Sequence, residues 1–265
     1  MKRRRNEGEE SVNTKNKIYR NARDLNPITK LLLVLSFGVG CMIYPFPYLG
    51  YILLLIILGL AYFMGLGKKV ILLILGFGVP VTLMLLFIQG LYSPKNITMI
   101  ADLGFAQVGL EGTLYALKVS STLLVFLTTF YLFMQTTKNS ETVAALTQSG
   151  LNMKIGYLIL ASLNVVPQMQ RKVKNIQEAQ ESRGVEVTGN FLQRTKAFLP
   201  LIGPVVLSSL TDAQERGMTL ETRGFSIKGI KPTSFVEVNH RKIDTILKGL
   251  AGVFLLFTIF IRFCR

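Results

Sequence analysis

One uncharged, apolar run of 36 residues, Leu31–Leu66, limits what this chain can fold into more than any other feature. A single helix that crosses a bilayer needs only about 20 mainly apolar residues, so the run is too long for one span. The sequence YPFPY inside it marks the break, because proline has no amide hydrogen and cannot continue a helix. We therefore predict two spans, Leu31–Tyr44 and Tyr48–Leu66.

Three more segments are long and apolar enough to span a membrane: Val70–Leu91, Thr113–Phe133 and Ile246–Phe263. Half of the residues are hydrophobic, 17% are charged, and the mean hydropathy is +0.42. A soluble domain of this length carries more charge and shorter apolar runs. The sequence therefore predicts an all-α, polytopic membrane protein with about five transmembrane helices, and a loop at Ser93–Gly112. In the third span, we expect Gly76, Gly78 and Pro80 to let helices approach or bend.

The charges predict the orientation of the chain. The net charge is +15, from 30 basic and 15 acidic residues, and most of them flank apolar segments, which argues against nucleic-acid binding. The N-terminal arm, residues 1–29, and Lys68–Lys69 fall on one side, whereas the YPFPY break and the Ser93–Gly112 loop fall on the other. Because basic residues accumulate on the cytoplasmic side, we predict a cytoplasmic N-terminus. Five spans place the C-terminus outside, but Arg262 and Arg265 argue against that side, so its location stays open.

Residues that catalysis or metal binding requires are scarce. Two cysteines and one histidine are too few for a thiol–imidazole zinc site. The phosphate loop G-x-x-x-x-G-K-[ST] is absent, so we expect no ATP hydrolysis by this chain. The predicted spans contain no Asp or Glu, whereas proton-driven transporters normally keep carboxylates at that depth. Lys118 is the one charge in the first four spans; we expect it to snorkel, and a functional role for it stays open.

Residues 135–245, between the fourth and fifth spans, carry 14 basic and 9 acidic residues and are too many for a structureless loop. We predict a cytoplasmic domain of long amphipathic helices here, which divides the chain into an arm (1–29), spans one to four (30–134), this domain (135–245) and a fifth span (246–265). A first short helix is expected from Asn139 or Ser140 to Gly150. A second carries an apolar stripe at helical spacing: Leu163, Val166, Met169, Val173, Ile176 and Ala179.

A third helix of this domain carries a stripe with smaller residues: Val206, Leu210, Ala213, Gly217 and Leu220. We predict that Leu210, Ala213 and Gly217 lie at a close helix contact, either within this chain or with another subunit. Prolines should kink or start the helices of this domain, at Pro167, Pro200 and Pro204.

One short phrase occurs twice in this domain, as ESRGVEV at Glu181–Val187 and as ETRGFSI at Glu221–Ile227. Each Arg-Gly pair follows an amphipathic helix. Glycine readily adopts the left-handed conformation that ends helices, and a cation there complements the helix dipole, so helix termination is one interpretation. The other is a pair of docking points, because a guanidinium held at a helix tip makes paired hydrogen bonds to a carboxylate or to carbonyl groups.

These motifs resemble those of EcfT, the family of transmembrane subunits of energy-coupling factor (ECF) transporters. That family has two Arg-Gly motifs, usually Ala-Arg-Gly, that end long cytoplasmic coupling helices. The matching residues here are Ser182, Arg183, Gly184, Thr222, Arg223, Gly224 and Phe225. The likeness extends to NPITKLLL (Asn26–Leu33), similar to the family's Asp-Pro-Arg-x-Lys start, and to ALTQSGLN (Ala145–Asn152). The chain departs from the family where Ser182 and Thr222 replace alanine, and where Asn26 and Ile28 replace Asp and Arg.

The resemblance implies a non-catalytic scaffold that couples ATP energy to the import of a vitamin or other micronutrient across the bacterial cell membrane. In such transporters EcfT joins two cytoplasmic ATPases, which form a homodimer or a heterodimer, to a substrate-binding membrane protein, the S subunit. The resemblance also implies that Arg183 and Arg223 dock to the ATPases, which bind the ATP and Mg, while this chain binds no cofactor or metal. Leu210, Ala213 and Gly217 become candidates for contact with the S subunit.

Two other classes of function stay in view. A polytopic secondary transporter is favoured by intramembrane acids or by an internal repeat of spans, and a membrane enzyme by paired carboxylates near one membrane face. None of these three features is seen in the sequence. It does not identify the substrate that is carried, because the S subunit selects it.

Overall fold

The computed structural model describes residues 22–92, 98–102, 107–184, 191–225, 227 and 241–264. The chain divides into two compact units, Met1–Ala145 with Val238–Arg265, and Leu146–Glu237. The first unit holds the strongly apolar helices and the second holds the amphipathic ones. Of the predicted arm, residues 1–21 lie outside the described residues. Which segments lie in the membrane and which in the cytoplasm stays a prediction.

Helix α1 (Pro27–Ile43) begins directly after its cap, Asn26, four residues before the predicted start of the first span at Leu31. The Asn26 side-chain oxygen accepts a hydrogen bond from the Ile28 amide at 3.0 Å, and Pro27 occupies the first turn, where no amide donor is needed. The helix ends at the predicted break, where Tyr44 has an extended backbone with φ −65° and ψ 133°. After the second proline of the break, α2 runs over Tyr48–Phe63.

The third apolar segment is a helix with an irregular middle. It starts as α3 (Gly67–Leu73), passes through a π-helical turn at Ile74–Gly78 and continues as α4 (Val79–Tyr92). A Cβ added to Gly78 would come within 2.3 Å of the Leu124 side chain, which confirms the predicted close approach at this glycine. A Cβ on Gly76 would meet nothing within 4 Å, so no such approach occurs there among the described residues.

The predicted loop after α4 contains a short antiparallel hairpin. Strand β1 (Met99–Asp102) pairs with β2 (Gln107–Gly109). The next helix, α5 (Leu110–Thr136), begins directly after β2. Its Glu111 carboxylate accepts hydrogen bonds from the Thr98 amide at 3.2 Å and the Thr98 hydroxyl at 2.5 Å, which ties the base of the hairpin to the helix. Apart from this hairpin, the regular elements of the described residues are helical.

Three helices among the described residues are long and apolar enough to cross a membrane: Gly67–Leu91, Leu110–Thr136 and α9 (Lys242–Phe263). Two others, α1 and α2, are apolar but shorter, with 17 and 16 residues. A short first span agrees with the prediction. The second ends at Phe63 rather than Leu66, because Gly65 adopts a positive φ of 75° and terminates the helix. The chain is therefore an all-α membrane protein.

Helix α5 lies at the centre of the first unit, in contact with α1, α2 and α4. Small residues permit these contacts, since a Cβ on Gly50 of α2 would come within 2.5 Å of Ser121 Oγ, and one on Gly38 of α1 within 2.7 Å of the Phe126 ring. Helix α9 packs against α1. The buried apolar cluster of this unit comprises Cys41, Leu54, Ile57, Leu124 and Val125.

Two long helices, α7 (Met153–Glu181) and α8 (Phe191–Thr222), pack against each other in the second unit. A short helix, α6 (Asn139–Gln148), precedes them along the chain and starts where the sequence predicts. The three prolines of this region lie inside α7 and α8, so the prediction that they start helices is wrong and a kink is the effect still expected. Each proline removes one backbone hydrogen bond from its helix.

Candidate functional site

The two Arg-Gly pairs lie at the ends of α7 and α8. Gly184 and Gly224 have positive φ angles of +86° and +76°, a conformation that other residues adopt only with strain. At the end of α8, the Gly224 amide donates to the Glu221 carbonyl at 2.9 Å and the Phe225 amide donates to the Leu220 carbonyl at 3.1 Å. This pair of bonds is the Schellman arrangement, so the predicted role of the glycines in ending the helices is confirmed.

We call the end of α7 with Arg183 and Gly184 the first tip, and the end of α8 with Arg223 and Gly224 the second tip. Arg183 and Arg223 are exposed, and neither forms an ion pair with another residue in the described part of the chain. The hydroxyls of Ser182 and Thr222 each donate to a carbonyl in the last turn of their own helix, at 3.0 Å in both cases. The two residues that depart from the alanine of the EcfT motif therefore use their polar groups locally. The guanidinium groups remain available for a partner.

The two tips lie at opposite ends of one helical hairpin. Lys172 of α7 pairs with Asp212 midway along α8, whereas Tyr157 near the start of α7 meets Phe225 just beyond the end of α8. Residues later in α7 contact residues earlier in α8, so the two helices are antiparallel. Arg223 thus lies near the first turns of α7, while Arg183 lies beyond its last turn. At about 1.5 Å of rise per residue, the tips are separated by roughly 35–40 Å.

Polar side chains join α7 and α8 at the middle of the hairpin. Lys172 Nζ donates to Ser208 Oγ at 2.7 Å and pairs with the Asp212 carboxylate. Near this pair, the Arg216 guanidinium donates to the side-chain oxygen of Gln168. The Lys172 and Asp212 side chains are only 29% and 37% exposed, so solvent screens their attraction less than on an open surface. We call these five residues the polar seam. The sequence did not predict it, because only apolar stripes were used to predict helix contacts.

The apolar contact predicted on α8 is absent within the described part of the chain. Leu210 is 58% exposed, Ala213 is exposed, and a Cβ on Gly217 would meet nothing within 4 Å. The stripe lies about 120° around the helix from the polar seam, so α7 leaves it uncovered. Contact of these residues within the chain is therefore not found, and contact with another subunit stays a prediction. Other large apolar residues of both helices are also exposed, including Leu158, Leu163, Val166, Ile202, Val206 and Leu207.

An aromatic contact that the sequence did not predict holds the second tip. The Phe225 ring lies 5.2 Å from the Tyr157 ring, centroid to centroid, with an angle of 57° between the planes. The Lys154 ammonium lies 5.8 Å from the centroid of the same Phe225 ring. Both distances fall in the range of favourable aromatic and cation–π interactions. We call these three residues the aromatic clamp. The motif offered one signal for it, an aromatic residue directly after the second Arg-Gly pair.

Lys30 in the first unit is the second residue whose role the sequence did not indicate. Its side chain is buried, and Nζ donates to the carbonyls of Arg23 and Thr136 at 3.0 Å each and to Thr137 Oγ1 at 3.2 Å. The ammonium thereby binds the carboxyl end of α5, where unpaired carbonyls and the helix dipole favour a cation. It connects α1 to the point where the chain leaves α5.

Asp244 makes a second buried connection close to the start of α1. Its carboxylate accepts hydrogen bonds from the backbone amides of Asn26 and Arg241, both at 3.0 Å. The Arg241 guanidinium in turn pairs with Asp24 at 2.9 Å. The start of α9 is therefore fixed to the start of α1 by charge-assisted bonds.

Among the described residues, no cluster of three or more His, Cys, Asp or Glu could hold a metal ion. Cys41 is buried and Cys264 is exposed, and both are free thiols. Lys118 is partly buried in α5 and forms no ion pair with another described residue. Its functional role stays open.

Comparison with known proteins places these features in a family. Residues 20–233 match the CbiQ family, described as "Cobalt transport protein". Curated relatives named "Energy-coupling factor transporter transmembrane protein EcfT" include that of Ruminiclostridium cellulolyticum, 26% identical over 180 residues, or 63% of this chain and 65% of the relative. The Streptococcus equi protein is 30% identical over 60% of this chain and 61% of its own length. The Lactococcus lactis protein is 24% identical over 84% and 86%. The chain thus spans slightly less than two thirds of the first two relatives.

Proposed function

Because this chain belongs to the CbiQ family, we propose that it is the energy-coupling transmembrane scaffold of an ECF-type importer of a vitamin or other micronutrient. In this role it links two cytoplasmic ATPases to a substrate-binding S subunit and performs no catalysis itself. The observation that carries the proposal is the pair of exposed arginines, Arg183 and Arg223, at opposite ends of one helical hairpin. Neither a secondary transporter nor a membrane enzyme is favoured by the names of the relatives.

Each tip supplies one docking point for one ATPase. The positive-φ glycine ends the helix, so the preceding guanidinium projects and can form a forked pair of hydrogen bonds in a groove of the partner. A separation of roughly 35–40 Å suits two partners bound side by side rather than one partner bound at both tips. The ATPases hold the ATP and Mg, and their closure on ATP moves the two tips.

The exposed apolar faces of α7 and α8 supply the surface for the S subunit. The helices contact each other through the polar seam, so the stripe with Leu210, Ala213 and Gly217 is left for a partner. An apolar surface of this extent is typical of a protein or membrane contact. In this arrangement the N-terminus and the coupling helices are cytoplasmic, in the membrane of a bacterial cell, as the distribution of basic residues predicts.

The proposal is tested by replacing the arginines in the full complex. Removing one arginine of a desolvated, hydrogen-bonded pair costs roughly 2–5 kcal/mol at an interface, so Arg183→Ala or Arg223→Ala should weaken ATPase binding or uncouple hydrolysis from uptake. The double variant should lose transport while the chain still inserts and folds. Lysine should restore function only in part, because it keeps the charge but not the fork. Co-purification of the ATPases and substrate uptake, at matched membrane levels, report the result.

Helix-end electrostatics alone gives a different pattern. It predicts a loss of only about 0.3–1 kcal/mol in stability, near-complete rescue by lysine and no specific loss of a partner. A double-alanine chain that keeps both ATPases and transports normally would refute the docking role.

A further inference from the structure

The two Arg-Gly tips each end in an exposed arginine and a positive-φ glycine, and the second tip also makes an aromatic contact. In the second tip, the Schellman turn that leaves Arg223 exposed also directs the next side chain back toward α7, because the Phe225 amide is bonded to the Leu220 carbonyl at 3.1 Å. One turn therefore presents the arginine outward and the phenylalanine inward. The two backbone hydrogen bonds of the Schellman turn fix the position of the Phe225 ring relative to the Arg223 guanidinium.

The clamp attaches this tip to the beginning of α7. Lys154 and Tyr157 lie in the first turns of that helix, whose start is fixed by the Asn152 side chain accepting a bond from the Lys154 amide at 2.9 Å. The Phe225 ring contacts both residues. The Arg223 tip is thus bonded covalently to the end of α8 and non-covalently to the start of α7.

The first tip has no aromatic residue directly after its Arg-Gly pair. The residue that follows its Arg-Gly pair is Val185, where the second tip has Phe225. An aliphatic side chain has no ring quadrupole and forms neither an edge-to-face pair nor a cation–π contact. The sequence difference between the two copies of the motif therefore falls at the residue that forms the clamp.

We propose that Phe225 is a positioning residue that makes the Arg223 tip and the first turns of α7 move as one body. A displacement of the ATPase at Arg223 is then delivered to the end of α8 and the start of α7 together, whereas a displacement at Arg183 acts on the end of α7. The two docking points have different mechanical roles even where the two ATPases are identical. This inference rests on the docking role proposed above for the arginines.

The test measures how ATPase binding affects amide hydrogen exchange in the full-length chain. Two segments are followed, the first turns of α7 (residues 153–158) and the second tip (residues 220–225), each with and without the co-purified ATPases. In the wild-type chain, bound ATPases should protect both segments. In Phe225→Ala, the tip should stay protected while the ATPase-dependent protection of residues 153–158 falls by roughly two- to tenfold, the equilibrium equivalent of one aromatic pair.

Matched variants separate the clamp from general destabilisation. Tyr157→Ala removes the same ring pair from the other helix without altering the Arg223 turn, so it should reproduce the loss even if Phe225→Ala folds poorly. Tyr157→Phe and Phe225→Tyr keep the rings and should behave as wild type. Val185→Ala, the corresponding change at the first tip, should leave residues 153–158 protected. A packing role alone would raise exchange equally in the bound and free chain, with no change in their difference.

Three outcomes overturn the proposal or its premise, and they are distinguishable. Undiminished ATPase-dependent protection of residues 153–158 in both Phe225→Ala and Tyr157→Ala shows that the clamp transmits nothing. Loss of an ATPase from Phe225→Ala, as expected of Arg223→Ala, shows that the ring touches the partner directly and is not a positioning residue. Retention of both ATPases by Arg223→Ala removes the docking role itself, whatever the clamp does.

Discussion

Lys30 illustrates how a single residue fixes the arrangement of several elements. The residue is only 7% exposed, and its ammonium donates hydrogen bonds to two backbone carbonyls and one hydroxyl. A buried charge is tolerated only where its hydrogen bonds are made, and the carboxyl end of α5 supplies acceptors that would otherwise lack partners. Arg183 and Arg223 present the opposite case, since both residues are exposed.

We predict that Lys30→Met destabilises the first unit although methionine has a similar shape. The change leaves the Thr136 carbonyl without its charged donor, and the expected loss is about 1–3 kcal/mol in the free energy of unfolding. Thermal unfolding of the detergent-solubilised chain measures it. Lys69→Met, at an exposed position of α3, is the control and should stay within about 0.5 kcal/mol of wild type. Equal effects of the two changes would show that the buried bonds of Lys30 contribute nothing.

Helix α8 shows at the scale of an element why amphipathic patterns are ambiguous. It carries an apolar stripe and, about a third of a turn away, a row of polar residues that includes Ser208, Asp212 and Arg216. Within a single chain, an amphipathic helix normally buries its apolar side. Here the polar row contacts α7, because Lys172 and Gln168 provide matching charge and hydrogen-bonding groups, and the apolar stripe is left exposed.

Gly217→Leu tests whether the exposed stripe is an interface. The chain alone has open space at this position, so leucine should leave its stability unchanged or raise it by about 0.5–1 kcal/mol through helix propensity. In the complex, overpacking against the S subunit should cost on the order of 1–3 kcal/mol and reduce assembly. Thermal unfolding of the chain and co-purification of the S subunit separate the two effects.

Gly217→Ala is the control for this position, because a single methyl group should be accommodated without loss of assembly. Normal co-purification of the S subunit with Gly217→Leu would place the interface elsewhere on the hairpin.

At the scale of the whole molecule, the chain consists of a compact apolar unit and a second unit built on a hairpin of two amphipathic helices. The first unit holds three helices long enough to cross a membrane and two shorter ones around the central α5. The second unit carries both Arg-Gly tips, the polar seam and the clamp. The sequence contains no G-x-x-x-x-G-K-[ST] phosphate loop.

The purified chain is accordingly predicted to have no ATPase activity of its own. ATP hydrolysis should appear only when the co-purifying ATPases are present and should disappear when they are removed by a high-salt or detergent wash. A steady-state phosphate-release assay before and after that step measures this. Turnover that persists after every ATPase has been removed would contradict the assignment of a non-catalytic scaffold.

The sequence by itself determined the local features whose causes are local. Asn26 and Pro27 set the start of α1, the YPFPY break separates α1 from α2, and Gly184 and Gly224 end α7 and α8, because caps, proline and glycine act on backbone groups a few residues away. Apolar length was likewise sufficient for the membrane class. What the tertiary structure decided was which side chains meet across elements. The bonds of Lys30 to the end of α5, the contact of Lys172 with Asp212 and the clamp around Phe225 join residues dozens to a hundred positions apart. Helical periodicity specifies the faces of a helix but not the neighbour that each face receives, so the side of α8 that is buried became known only from the packed hairpin.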